Sequence, residues 1–273
     1  MSGRQPSRQP RTLLAVNGPA MNAWTRSTTT AETRGAVLLL GPDTSVQRAL
    51  EHELHSLPAA TLMARDFEDA RTRSLGIGSP PRVVLLPEEM IDPLEFESRL
   101  ADLRIRMHSP RLVPIAFGPE PSEQRRGALR DAGVDLALFG GFGRHALRFQ
   151  INRALSPWAR RRPRGELRAP QEWRTRIFSS GKEKAVRCYS LSSTGAYFVT
   201  PRPWVVGSDV SLELPMGREH RMIDGRILYT NHVGPGNERA LPRGMAISFR
   251  PLPDPLQNVI RAGVTQTQAR LEV

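Results

Sequence analysis

The sequence predicts two domains of different class, a doubly wound α/β domain followed by an all-β domain. Two observations support this prediction. From residue 34 to residue 155, short continuous apolar runs alternate with helical patterns, which is typical of a parallel sheet covered on both faces. After a stretch rich in proline and arginine, the pattern changes to the alternation of antiparallel strands. The 273 residues suffice for two ordinary domains.

Five apolar runs predict the strands of the α/β domain, at residues 36–40, 61–64, 82–86, 112–117 and 136–139. Helices are predicted after Asp43 and at residues 67–75, 94–107, 122–132 and 144–155. Asp43, Thr44 or Ser45 can cap the first of these helices, and Gly133 suits the end of the fourth. Five strands, each followed by a helix, predict a five-stranded parallel sheet over residues 34–155.

Two other segments frame this domain. Residues 1–33 are rich in Ser, Thr, Arg, Gln and Pro without periodicity, and we predict a disordered tail there. Residues 156–172 form a predicted Arg/Pro-rich linker, because Ser156-Pro157 ends the preceding helix.

Residues 173–273 carry the all-β pattern. Six strands are predicted at residues 173–178, 185–191, 196–200, 210–214, 221–229 and 245–249, and a helix at 254–271. Turn signals at Gly181, Gly207 and Gly217 separate several of these strands. Short strands at this spacing indicate a small barrel or a sandwich.

The composition favours partners that carry phosphate groups. The net charge is +12, and Lys182 and Lys184 are the only lysines, so arginine supplies the basic charge. A general arginine bias of the source proteome accounts for this composition equally well. Nucleic acid is not the favoured partner, because the sequence has no long basic amphipathic helix and no basic strand interleaved with aromatic residues.

The sequence offers no residues for catalysis or for a metal site. Cys188 is the single cysteine, which excludes an intramolecular disulfide and a cysteine-based zinc site, and we predict that it is a core residue. The histidines of His52-Glu53-Leu54-His55 lie three residues apart rather than the four of a zinc-binding helix. No apolar run approaches the ~20 residues of a membrane span. We therefore expect a cytoplasmic protein without enzymatic activity or cofactor.

The first domain resembles the receiver domain of bacterial response regulators in its order of strands and helices. Local phrases also match, namely Val37 to Asp43 and Gly133-Val134-Asp135. The resemblance places the phosphoacceptor aspartate of that family at Pro87 and its conserved lysine at Gly140. Phosphoryl transfer to aspartate needs a carboxylate nucleophile and a metal held by further carboxylates. The resemblance therefore implies a degenerate receiver that cannot be phosphorylated in the family's way.

The second domain resembles the PilZ domain, a receptor module for cyclic di-GMP. The family's R-x-x-x-R motif is matched by Arg160 and Arg164, and its [D/N]-x-S-x-x-G signature by Ser192 and Gly195. Later phrases also agree, including Gly244-Met245-Ala246-Ile247. The resemblance covers roughly residues 157–260 and implies a six-stranded barrel with a C-terminal helix.

This resemblance implies a ligand site for cyclic di-GMP at the junction of linker and barrel. The residues that it assigns are Arg160, Arg161, Arg164, Ser190, Ser192 and Gly195. Arginine can bind phosphate bidentately, contact the O6 and N7 atoms of guanine, or stack on a purine. Ser190 departs from the family pattern, because the first signature position is Asp or Asn in the family.

Three functional hypotheses follow. The first is a cyclic di-GMP effector in which ligand binding reorients the two domains and changes a contact with a signalling or motility protein. The second is a PilZ-like interaction module that has lost the ligand, in motility or envelope signalling. The third, less favoured by the sequence, is basic nucleic-acid binding. Ser190 separates the first hypothesis from the second.

Overall fold

The structure, a computed structural model, describes residues 36–57, 59–73, 80–155, 166–217, 219–232 and 241–273. These residues belong to one compact unit, Thr33–Val273. The predicted tail and the linker arginines Arg160, Arg161 and Arg164 lie outside the described residues.

The first sheet has the five parallel strands that the sequence predicts, in the order β2-β1-β3-β4-β5. Strand β1 lies between β2 and β3, and its Leu38 is paired with Leu62 of β2 and with Val84 of β3. This order reverses direction at β1, so the doubly wound prediction is confirmed. The strands are β1 (Ala36–Leu40), β2 (Thr61–Ala64), β3 (Pro81–Pro87), β4 (Val113–Gly118) and β5 (Leu136–Phe139).

Four helices connect these strands and a fifth follows β5, and polar side chains cap two of the five. Among the three candidate caps of α1, Thr44 is the one used, since its hydroxyl accepts a hydrogen bond from the backbone N–H of Gln47 at 3.2 Å. Ser122 caps α4 in the same way. The helices are α1 (Ser45–His55), α2 (Phe67–Arg73), α3 (Phe96–Arg106), α4 (Glu123–Asp131) and α5 (Arg144–Leu155). A single 3₁₀ turn at Glu88–Met90 follows β3.

Helix α3 begins two residues later than the sequence predicts. The carboxylate of Asp92 accepts a hydrogen bond from the backbone N–H of Leu94 at 3.0 Å, and its carbonyl accepts one from Glu95 at 3.1 Å. These bonds form a turn around Pro93, so the helix starts only at Phe96. Leu94 is consequently exposed rather than packed with the apolar face of α3.

The first sheet is covered on both faces, as the continuous apolar strands predict. On one face, Leu38 and Val84 pack with the buried residues of α2, α3 and α4. On the other face, Leu39 and Leu85 pack with α1 and α5 through side chains such as Leu147. Helices α1 and α5 therefore lie side by side on one face of the sheet.

The second sheet closes into a six-stranded antiparallel barrel, because β8 pairs with both β7 and β9. The two alternatives left by the sequence, barrel and sandwich, are thus resolved in favour of the barrel. Its strands are β7 (Arg174–Ser179), β8 (Lys182–Ser192), β9 (Gly195–Val199), β10 (Asp209–Met216), β11 (Glu219–Asn231) and β12 (Gly244–Phe249). A further strand that the sequence did not predict, β6 (Ala169–Pro170), pairs with β8 outside the barrel.

The interior of the barrel is apolar and is closed by helix α6 (Asp254–Ala269), whose Ile260 and Val264 join the core. Cys188 is fully buried there, as predicted, and burial raises the pKa of its thiol well above the usual value. None of the helices in the described part of the chain combines the length and apolar character of a membrane span.

The residues after α6 return to the first sheet. The prediction extended this helix to residue 271, but it ends at Ala269 because Leu271–Val273 run along the edge strand β5. The backbone N–H of Ala137 donates to the carbonyl of Leu271 at 3.0 Å. Gln150 on α5 also donates to that carbonyl and to the carbonyl of Ala137. The end of the described chain thus links the barrel side of the molecule to the first sheet.

Candidate functional site

The signature turn, Ser190–Gly195, forms the tight end of the β8–β9 hairpin. Ser192 pairs with Gly195 in the strand register, which leaves Ser193 and Thr194 as the two loop residues. The hydroxyl of Ser192 donates a hydrogen bond to the carbonyl of Gly195 at 3.0 Å, and the side chain is fully buried. In this structure the Ser192 hydroxyl therefore stabilises its own turn.

Gly195 is required by a close backbone approach and not by a left-handed conformation. A Cβ atom at this position would lie 2.5 Å from the carbonyl oxygen of Ile247 on β12. The backbone N–H of Phe249 donates to the carbonyl of Thr194 at 2.9 Å, so β12 holds the loop as well. The turn therefore lies against the main chain of β12 at two positions.

Ser190 lies between two other strands. Its backbone is paired with Tyr197 of β9 and with Pro170 of β6, and only 5% of the residue is exposed. The register of β8 and β9 shifts between Cys188 and Ser190, which marks a bulge at Tyr189. The residue at the altered signature position is therefore buried beneath β6 in this conformation.

Glu166 brings a carboxylate to the signature turn. The hydroxyl of Ser193 donates a hydrogen bond to its Oε2 atom. Strand β6 runs antiparallel to β8 beside the turn, with Ala169 opposite Leu191, and this pairing carries Glu166 towards the loop. The sequence analysis missed Glu166, and its only signal there was its position immediately after the arginine run.

The described structure brings together Ser190, Ser192 and Gly195, the three barrel residues predicted for the site. The three predicted linker residues, Arg160, Arg161 and Arg164, lie outside the described residues. The chain that follows them is described from Glu166 onward, and it lies against the signature turn. The barrel half of the predicted site is therefore assembled around one turn.

Tyr189, next to the signature turn, connects the barrel to helix α5. Its hydroxyl accepts a hydrogen bond from the side-chain amide of Asn152 at 3.2 Å, and its ring packs edge-on against His145 with 5.3 Å between ring centroids. The Nδ1 atom of His145 is 2.8 Å from the carbonyl oxygen of Gln171. Burial raises the pKa of Tyr189 to about 12, so its hydroxyl keeps its proton at pH values where an exposed tyrosine ionises.

The carboxyl edge of the first sheet is filled by apolar and amide groups where the receiver family places its acidic residues. A Cβ atom on Gly41 would lie 2.9 Å from Cγ of Pro87 and 2.8 Å from Oε1 of Gln47. Asp43 is exposed and forms an ion pair with Arg48 at 3.1 Å. Within the ranges that the structure describes, no three His, Cys, Asp or Glu side chains are close enough to hold a metal ion.

Comparison with solved structures finds proteins similar to each half of the chain. The PilZ domain of YcgR from Escherichia coli with c-di-GMP matches 40% of this chain and 93% of its own, at 15% identity and a TM-score of 0.31. The receiver domain of an HD domain-containing protein from Pseudomonas fluorescens Pf-5 matches 47% of this chain and 92% of its own, at 18% identity and a TM-score of 0.38.

The Bacillus subtilis inhibitor of motility, MotI/DgrA, is also similar to this chain, at 15% identity and a TM-score of 0.33. The match covers 40% of this chain and only about half, 52%, of the Bacillus protein. No protein-family model matches the sequence, and no curated protein matches it either.

Proposed function

We propose that this chain is a signalling protein that binds cyclic di-GMP between the linker arginines and the signature turn. In this proposal, Arg160, Arg161 and Arg164 contact the phosphates and guanines, and the β8–β9 turn with Ser190, Ser192 and Gly195 forms the floor of the site. Binding then alters the placement of the two domains and the contact with a partner protein. The protein itself transfers no chemical group.

The observation that carries the proposal is the path of the chain after the linker. Strand β6 pairs with Ser190 and Leu191, and Glu166 contacts Ser193. Arg164 precedes Glu166 by two residues, which corresponds to about 7 Å of extended chain. From a position that close to Glu166, an arginine side chain is long enough to contact a ligand bound at the turn. The sequence motif and the path of β6 therefore support the same site.

The contact between Glu166 and Ser193 gives this site a defined competitor. A carboxylate and a phosphate are both anions that accept hydrogen bonds from a hydroxyl, so the ligand replaces Glu166 at Ser193. The displaced carboxylate is then free to pair with a linker arginine. Glu166 lowers the affinity, because its contact must open before the ligand binds.

Tyr189 can transmit a change at this site to the first domain. It is the residue directly before Ser190, and it contacts both His145 and Asn152 of α5. A ligand that shifts the backbone at Ser190 moves Tyr189, and so changes how α5 packs on the barrel. Because packed interfaces favour discrete arrangements over continuous deformation, the expected response is a switch between two domain placements.

Calorimetric titration with cyclic di-GMP tests the proposal. The wild-type protein should bind saturably, and Arg164→Ala should lower the affinity roughly tenfold to hundredfold, because a hydrogen bond to a charged group contributes about 1.5–3 kcal/mol. Arg111→Ala is the matched control, since Arg111 is an exposed arginine of the first domain and should leave the affinity unchanged. Equal losses in both variants, or no binding by the wild type at high ligand concentration, would refute the proposal.

A second candidate is a docking module that has lost the ligand, and the burial of the turn favours it. Ser190 and Ser192 are buried, and Ser193 is bonded to Glu166, so the described turn is satisfied by the chain itself. Glu166→Gln separates the two candidates, since it removes the competing charge and keeps the side-chain length. Tighter cyclic di-GMP binding supports the effector, whereas no binding in either form favours the docking module.

A further inference from the structure

A cavity of about 260 Å³ lies between the two domains, away from the signature turn. Its walls come from the end of α1, from the first turns of α5, and from strands β8 and β9 of the barrel. Its charged side chains are Glu53, Arg144, Arg148 and Arg187, and the neutral wall includes Leu57 and Val199. The sequence analysis assigned no role to any of the arginines that line this cavity.

The cavity has an excess of positive charge. Arg144 is paired with Glu53, but the pair is long, at 3.7 Å, and more than half of the Arg144 side chain is exposed. Within the described ranges of the chain, neither Arg148 nor Arg187 has a carboxylate within 4 Å. Three arginines and one glutamate therefore line this cavity.

Arg148 makes one hydrogen bond to the described part of the chain. Its Nη2 atom donates to the carbonyl of Ser56 at 3.0 Å, and a guanidinium has five N–H donors in total. Burial is the main cause that lowers the pKa of Arg148. Tyr189 and Glu53 act in the opposite direction, and the nearby charge of Arg144 lowers the pKa further. A half-buried cation that no carboxylate contacts directly is destabilised, and a bound anion would offset that cost.

Arg187, on strand β8 of the barrel, is the second arginine considered for this cavity. Its neighbours along β8, Val186 and Cys188, point into the barrel core, so the alternation of the strand directs Arg187 outwards. It is half-buried, and its register partner Val199 lines the same cavity. Arg148 on α5 and Arg187 on β8 thus line the same cavity from different domains.

We propose that this cavity binds a phosphate group, held by Arg148 of α5 and Arg187 of β8 together. Bidentate contacts suit phosphate, because the arginine fork matches the spacing of its oxygens. The cavity, about 260 Å³ in volume, has room for inorganic phosphate or the phosphoryl end of a small metabolite. The bound group stabilises the contact between the domains.

The test is a titration of the full-length protein with inorganic phosphate at constant ionic strength, followed by calorimetry and by the melting temperature. Wild-type protein should bind saturably and melt higher than in matched chloride. Arg148→Gln and Arg187→Gln should each weaken phosphate binding at least tenfold. Arg111→Gln is the control for loss of one exposed arginine and should match the wild type. Pyrophosphate and a phosphomonoester such as glycerol phosphate then distinguish the free ion from a substituted one.

Arg164→Ala separates this site from the proposed cyclic di-GMP site, and phosphate affinity should stay within twofold of wild type in that variant. If Arg187→Gln does not fold, Arg187→Lys keeps the charge without the fork and should weaken binding several-fold. The proposal is overturned if phosphate and chloride shift the melting temperature equally. It is also overturned if Arg148→Gln binds as the wild type does, or if Arg164→Ala alone abolishes binding.

Discussion

The signature turn of the barrel and the carboxyl edge of the first sheet are the two places where this chain matches the motif positions of other families. At the turn, Ser192 and Gly195 keep the expected residue types and form the contacts that define the hairpin. At the carboxyl edge, Pro87 and Gly41 stand where the receiver resemblance expects acidic residues, and Gln47 lies beside them. The turn keeps the residue types that the PilZ resemblance predicts, whereas the sheet edge lacks the carboxylates that the receiver resemblance places there.

This difference separates motif residues that the fold requires from motif residues that only the chemistry requires. Any larger residue at position 195 would clash with the backbone of β12, so the fold requires glycine there whether or not a ligand binds. The acidic residues of a receiver serve only the metal and the phosphoryl group, and their loss leaves the hydrophobic sheet unaffected. A retained turn is therefore weaker support for ligand binding than retained charged residues would be. The linker arginines are for that reason the decisive residues of the proposal.

The largest expected effect is structural. Gly195→Ala places a Cβ atom 2.5 Å from the carbonyl oxygen of Ile247, so two backbone segments must separate. Overpacking of this kind costs about 1–3 kcal/mol, and we expect the upper half of that range because the neighbour is main chain. Urea denaturation followed by circular dichroism measures the loss.

Gly127→Ala provides the matched control for this substitution. Gly127 lies inside α4, and a Cβ atom there would meet no other atom within 4 Å. Because glycine lowers helix stability, the change should stabilise the protein by roughly 0.5–1 kcal/mol. The comparison fails if both alanine variants shift the urea midpoint in the same direction.

A smaller effect is expected from the contact between Tyr189 and α5, and it depends on pH. The pKa of Tyr189 rises from 10.0 to about 12 in the folded protein, chiefly through burial. Its folded form therefore keeps a proton that the unfolded form loses above pH 10, and stability falls as pH rises through that window. At about pH 11 the loss is about 1.4 kcal/mol.

Tyr189→Phe isolates this contribution. The free energy of unfolding should be compared between the variant and the wild type at pH 8 and pH 11, so that other titrating groups cancel. We expect any advantage of the wild type at pH 8 to shrink by about 1.4 kcal/mol at pH 11. A difference that does not change with pH would show that the tyrosine is not buried against α5 in solution.

Much of the fold could be predicted from the sequence because most strands and helices show their own pattern within a short stretch of residues. Continuous apolar runs such as Ala36–Leu40 are typical of strands buried on both faces, and their order gave the parallel sheet. The alternating pattern located all six barrel strands, although β8 and β11 extend beyond the predicted bounds. Alternation is weak where both faces of a strand end are exposed, as at Lys182.

The remaining features depend on contacts distant in sequence. Strand β6 is only two residues long and contains a proline, so it has no pattern of its own. The pairing of Leu271–Val273 with β5 brings together segments more than 130 residues apart, and it shortened α6 relative to the prediction. The contact of Glu166 with Ser193 arises only from that pairing of β6 with β8.

The most direct test of the central claim is the location of cyclic di-GMP on the protein, measured by hydrogen–deuterium exchange of the full-length chain. The account predicts slower exchange with ligand in two sets of peptides, those that contain Arg164 to Glu166 and those that contain Ser193 and Thr194. Peptides of α4 should be unchanged. Unchanged exchange in both sets, or protection confined to other parts of the chain, would contradict a dinucleotide site at the signature turn.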